Sequence, residues 1–228
     1  MKKIDLTRSP KERVLNLIIV DESGSMSAIY EEALTGMNKT ILNIRDESLK
    51  HPNIRQYVNL ITFDSNFYKQ HLRHCPAEHA EPLSPNQYLP GAATPLYDAI
   101  GMAVTSLERH TTSNDAVLVT VITDGEENCS TKYNAESLKK IIDRLVEKGW
   151  LFTYIGANQD TVYEAGKIGI NNSLSYTADK EGAEAMWKKE NHARSEFYNR
   201  IRTKRATGKS LSEAMREENL PEGKFFHD

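Results

Sequence analysis

Val14-Leu15-Asn16-Leu17-Ile18-Ile19-Val20 runs without a break into Asp21-Glu22-Ser23-Gly24-Ser25-Met26. The run before Asp21 is short, nearly continuous in apolar residues and rich in β-branched ones, which predicts a strand buried on both faces. After Met26 the pattern changes to a helical stripe of Ala33, Leu34, Met37, Ile41 and Ile44. A carboxylate and two hydroxyls therefore stand on a strand-to-helix turn. Gly24 lets the backbone turn tightly between the serines. In an open parallel sheet, ligands bind at such turns, beyond the carboxyl ends of the strands. Asp21 is expected to face solvent there.

Two later stretches share this layout. Ala116-Val117-Leu118-Val119-Thr120-Val121-Ile122 is a second buried strand, and it ends in Thr123-Asp124-Gly125. Between the two strands lies Gly91-Ala92-Ala93-Thr94-Pro95, followed by a helical stripe of Leu96, Ile100, Ala103 and Leu107. Pro95 suits the first turn of that helix and Thr94 the cap before it. The three turns can gather Asp21, Ser23, Ser25, Thr94 and Asp124 at one edge of a sheet. All present oxygen, which favours a hard cation such as Mg²⁺ or Mn²⁺.

This set resembles the metal-ion-dependent adhesion site of von Willebrand factor A (vWA) domains. That motif is Asp-x-Ser-x-Ser, then a distant Thr, then a distant Asp. It is matched by Asp21-Glu22-Ser23-Gly24-Ser25, by Thr94 and by Asp124. The resemblance covers about residues 12 to 178. It implies an α/β fold with a doubly wound, mostly parallel, Rossmann-like sheet and one antiparallel edge strand. It also implies that the hydroxyls matching Ser23 and Ser25 bind Mg²⁺ or Mn²⁺ directly. Thr94 would bind directly or through water, and Asp21 and Asp124 mostly through water or hydrogen bonds. Neutral direct ligands leave the cation seeking an anionic group, in this family typically an Asp or Glu of a partner protein. The implied function is a metal-dependent protein-binding module of the stand-alone cytosolic type found in bacteria or phage.

The competing class is a Mg²⁺-dependent phosphoryl-transfer or hydrolytic enzyme. A strand-end Asp nucleophile of that kind needs a second Asp two residues on as general acid, and that position is Ser23. No Ser-His pairing is evident around Ser23 or Ser25, so an activated serine is unsupported.

The 228 residues are expected to divide into a vWA domain, 1–178, and a C-terminal helical extension, 179–228, packed on it. A net charge of −3 is too small to imply a nucleic-acid or membrane partner by itself. No stretch is long and apolar enough to span a bilayer, and residues 1–10 lack the apolar core of a signal peptide. The expected setting is cytoplasmic, with Cys75 and Cys129 as free thiols and the chain a monomer whose partner is an unidentified protein.

Arg55 to Phe63 and Phe67 to His74 read as a hairpin across Asp64-Ser65-Asn66, and Trp150 to Ile155 and Ser173 to Thr177 as further strands. Asp64 and Asn158 would shape the rim of the site. His71, His74, Cys75 and His79 suggest zinc, but their spacing fits no standard finger, and His71 and His74 would face opposite sides of a strand. Thr207-Gly208-Lys209-Ser210 lacks the first Gly of a phosphate-binding loop, because position 203 is Thr. From Asp179 to about Arg205 one long helix is expected, with the apolar stripe Ala183, Met186, Ala193, Phe197 and Ile201 interrupted by Glu190. Its basic residues, Arg194 among them, are expected to point outward.

Overall fold

The computed structural model describes residues 13–157, 160–218 and 225–226. The apolar run before Asp21 belongs to strand β1 (Arg13–Asp21). Strands β2 (Arg55–Phe63), β4 (Ala116–Thr123), β5 (Trp150–Ala157) and β6 (Asn172–Tyr176) run parallel to it, and β3 (Tyr68–Pro76) pairs antiparallel with β2. The six strands are ordered β3-β2-β1-β4-β5-β6. Asn158, expected on the rim, lies outside the described residues.

Residue alternation along β1 feeds two cores, which is why the run is apolar throughout. Ile18 and Val20 face helices α1 (Tyr30–Lys50), α5 (Lys180–Ala206) and α6 (Leu211–Glu218). Leu15, Leu17 and Ile19 face α2 (Leu96–Glu108), α3 (Ala135–Glu147) and α4 (Thr161–Lys167). The chain winds outward from β1 through β2 to β3 on one side, then returns to β4 beside β1 and winds outward through β5 to β6 on the other. The crevice between β1 and β4, beyond their carboxyl ends, is thus a topological switch point, the place where such sheets bind ligands.

Helix α5 is capped by Asp179, whose side chain accepts from the Gly182 N–H at 2.8 Å. Met186, Trp187, Phe197 and Ile201 bury its apolar stripe in the core shared with β1 and α1. The Trp187 ring lies against Gly36 of α1, so closely that a Cβ there would stand 2.1 Å from it.

The outward placement of Arg194 does not hold. Arg194 is 0% exposed, and Glu190, the apparent break in the stripe, is buried beside it. The four-residue spacing stacks them on one helix face. Arg194 donates to Glu190 Oε1 at 2.6 and 2.8 Å, to Asn16 Oδ1 of β1 at 3.1 Å and to Thr120 Oγ1 of β4 at 2.8 Å. The Tyr198 hydroxyl also donates to Asn16 Oδ1. Burial works against the guanidinium's charge, but Glu190 and Tyr198 outweigh it and hold the pKa above the ordinary value.

Candidate metal centre

Asp21 ends β1 and Thr123 ends β4 beside it. The Thr123 hydroxyl donates to Asp21 Oδ2 at 2.6 Å, and the Ser23 N–H donates to Asp21 Oδ1 at 2.7 Å. Asp21 is 0% exposed, not solvent-facing, because the turn after β1 and the loop between β3 and α2 close over the strand end. Past it the chain makes a 3-10 turn, Gly24–Ile29, before α1 begins. That turn carries Ser25 across to β4, where its hydroxyl donates to Asp124 Oδ1 at 2.6 Å and lies 3.2 Å from Ser23 Oγ. A Cβ placed on Gly125 would meet Thr94 Oγ1 at 3.4 Å and Ser25 Oγ at 3.6 Å. The two hydroxyls therefore both lie beside one point, which the missing side chain of Gly125 leaves unfilled.

The expected capping role of Thr94 is not found. Helix α2 starts at Leu96 behind Pro95, with no side-chain cap, and Ser23 likewise caps nothing. Thr94 instead hangs on a loop tied to its neighbours. Its N–H donates to Asn128 Oδ1 at 2.9 Å, and the Asn128 N–H donates back to its carbonyl at 3.2 Å. The Gly24 N–H donates to the Ala92 carbonyl, and the Gly91 N–H to the Glu22 carbonyl. The three turns thus form one cross-braced unit.

Two braces were not recognised from sequence. The Glu22 carboxylate is buried and accepts from Thr62 Oγ1 at 2.5 Å, Lys69 Nζ at 2.6 Å and the Leu89 N–H at 2.5 Å. The Tyr88 hydroxyl donates to the Asp21 carbonyl at 2.8 Å. A carboxylate directly after Asp21 was the available signal for Glu22. Nothing local marks Tyr88, whose partner lies 67 positions away. Asp64 braces its own hairpin through the Asn66 and Phe67 N–H groups. His71 Nε2 lies 2.8 Å from Thr62 Oγ1, on the α1 side, whereas His74 lines a cavity on the α2 side.

Burial pushes the Asp21 carboxyl up to about 6, against hydrogen bonds from Thr123 and Ser23, and it also raises Asp124. Two poorly solvated carboxylates flank a cluster of hydroxyls, and a cation is the natural counter-charge. Among the described residues no group of three or more His, Cys, Asp or Glu side chains could hold a metal. Hydroxyls must complete any donor set here, and an all-oxygen set suits Mg²⁺ or Mn²⁺.

Residues 17–188 match the von Willebrand factor type A domain. No curated protein matches the sequence. Solved structures share the fold at low identity. The PilB minor pilin from Streptococcus sanguinis is 12% identical with a TM-score of 0.56, over 81% of this chain and 62% of the pilin. The pilus adhesin SpaC from Lactobacillus rhamnosus GG is 14% identical with a TM-score of 0.58, over 79% of this chain and 30% of the adhesin. The SpRpn10 VWA domain is 14% identical with a TM-score of 0.52, over 77% of this chain and 94% of that domain. The chain therefore spans less than two thirds of both pilus proteins.

Proposed function

The chain belongs to the von Willebrand factor type A domain family, and on that premise we propose that it is a protein-binding module gated by Mg²⁺ or Mn²⁺. Domains of this family are commonly metal-dependent interaction modules and generally not enzymes. In this reading Ser23, Ser25 and Thr94 hold the cation, and Asp21 and Asp124 support it through water or hydrogen bonds. When bound, the cation would supply a Lewis-acidic point able to take a carboxylate from a partner protein. The chain's own groups orient the hydroxyls and keep the strand end dry.

The observation that carries the protein partner is the rim. Phe67, Leu89, Val162 and Tyr163 are 58%, 58%, 70% and 60% exposed. Phe67 follows the carboxyl end of β2, Leu89 hangs on Glu22, and Val162 and Tyr163 open the helix after β5. All four belong to loops or helix starts at the metal edge, and we read them as the surface that meets the partner. We further propose a cytoplasmic monomer; among the described residues no helix is long and apolar enough to cross a membrane.

The test is capture of partners from a lysate on the immobilised chain, in Mg²⁺ and in EDTA, read by mass spectrometry. Specific proteins retained in Mg²⁺ and released by EDTA are expected, with retention lost in Leu89→Asp. Capture indifferent to EDTA would overturn the metal-dependent reading.

A further inference from the structure

Asn59 sits in the row Tyr57, Asn59, Ile61, Phe63 of β2, which faces α2 and is otherwise apolar or aromatic. It is 3% exposed. Its Oδ1 accepts from the His74 backbone N–H at 2.9 Å. That partner can only donate, so the amide's orientation is fixed and the other atom is the NH₂ group. This Nδ2 is buried with no hydrogen-bond partner, a state that native interiors seldom tolerate without a reason.

The reason lies opposite it. Val58 pairs with Cys75, Leu60 with Leu72 and Ile61 with Gln70, so β3 bulges across from Asn59. Within the bulge His74 is held at φ 47°, a left-handed conformation that a non-glycine residue keeps only under constraint. Bulges at sheet edges re-aim side chains and often adjoin functional sites. This one opens a cavity of about 250 Å³ between β3 and the C-terminal half of α2, which begins beside Thr94 and so ends away from the metal edge.

The cavity has a consistent chemistry. Leu17, Ile61 and Leu107 give it apolar walls, Asn59, Arg73, His74 and His110 supply nitrogen, and Tyr68, Gln70 and Ser106 add neutral polar groups; among the described residues no Asp or Glu lines it. Burial first, and then the nearby Arg13, His110 and Arg73, depress the His74 pKa, while Asp115 opposes them. We propose that this cavity binds a small organic carboxylate with an apolar body. The carboxylate is received by Asn59 Nδ2 and Arg73 beside the two imidazoles, and the body rests on Leu17, Ile61 and Leu107. The volume lies below the range of drug-sized pockets, which limits the ligand to one ring or a short branched chain.

The test is titration of the ¹⁵N-labelled full chain with benzoate, and with benzylamine as a probe of similar shape and opposite charge. Asn59→Asp keeps the acceptor for the His74 N–H and replaces the NH₂ donor by oxygen. Arg73→Gln removes the rim charge at an exposed position, where folding is not at stake. Saturable shifts at the Asn59 side-chain amide and the His74 N–H are expected with benzoate and not with benzylamine. Affinity should fall roughly tenfold or more in Asn59→Asp, and about threefold or more in Arg73→Gln. Should Asn59→Asp fail to fold, the wild-type titration and Arg73→Gln decide. Absence of saturable shifts, an equal response to benzylamine, or unchanged affinity in the folded variants would overturn the proposal.

Discussion

Arg194 of α5 and Thr120 of β4, 74 positions apart, are joined by a 2.8 Å hydrogen bond at the middle of a sheet face. The same guanidinium reaches Asn16 of β1 and pairs with Glu190. A charge at the centre of a core is tolerated only when every partner is in place.

Removing one partner should therefore cost far more than removing both. Arg194→Ala or Glu190→Ala is expected to destabilise the chain by about 3–5 kcal/mol, because each leaves a buried charge uncompensated. The double variant Glu190→Leu/Arg194→Met should recover much of that loss. Urea denaturation of the three variants checks this. A double variant as unstable as the sum of the singles would contradict the pairing.

At the metal edge, Asp21→Asn keeps the acceptor for the Ser23 N–H and removes a desolvated charge. It is expected to lose Mg²⁺ and Mn²⁺ binding by calorimetry while melting within a few degrees of wild type in EDTA. Gly125→Ala pushes a methyl toward Thr94 Oγ1 and Ser25 Oγ and should weaken binding with little change in stability. Unaltered metal affinity in both variants would place the metal elsewhere.

The fold was largely legible because its two central strands announce themselves. The runs before Asp21 and Thr123 have no polar face, which only a strand covered on both sides requires. The clustering of the candidate site was legible because a strand-end carboxylate, two hydroxyls spaced by Gly24 and a second strand-end Asp mark turns at one edge. Arg194 was misread because its partners, Asn16 and Thr120, lie far away in sequence, and a lone Asn or Thr in an apolar strand carries no mark of what it will meet. The exposure of Asp21 was misjudged for a related reason: the cover over it comes from the loop held by Glu22 and Tyr88, which no local pattern reveals.

Gly36 tests the seat of α5. A methyl there would collide with the Trp187 ring at 2.1 Å, and the ring is buried. Gly36→Ala should gain helix propensity worth about 1 kcal/mol and lose about 1–3 kcal/mol to overpacking. The net is a lower Tm by a few degrees, checked by calorimetric melting. A raised Tm would mean that α5 shifts freely on α1.

Glu108 ties α2 to α3. Its carboxylate accepts from Arg144 and from Lys148, and the Arg144 hydrogen bond is the main reason its pKa falls from 4.5 to about 2. A depressed carboxyl pKa stabilises the fold above the unfolded value and loses that effect as pH falls through the folded one. Wild type should therefore exceed Glu108→Gln in stability by up to about 1 kcal/mol above pH 5. The difference should shrink between pH 4.5 and 2, as followed by denaturant titration across that window. A gap that widens on acidification would refute the assignment.

The cover over the middle of the sheet is also a matter of timing. A ribosome adds roughly 5–20 residues per second, so about 4–15 s separate the making of Thr120 from that of Arg194. Throughout that interval the strands are emerging while Asn16 and Thr120 wait for the guanidinium that will join them. A stop codon between Tyr176 and Arg194 would release a chain that has all six described strands and α1 on this face but lacks the guanidinium that joins β1 to β4.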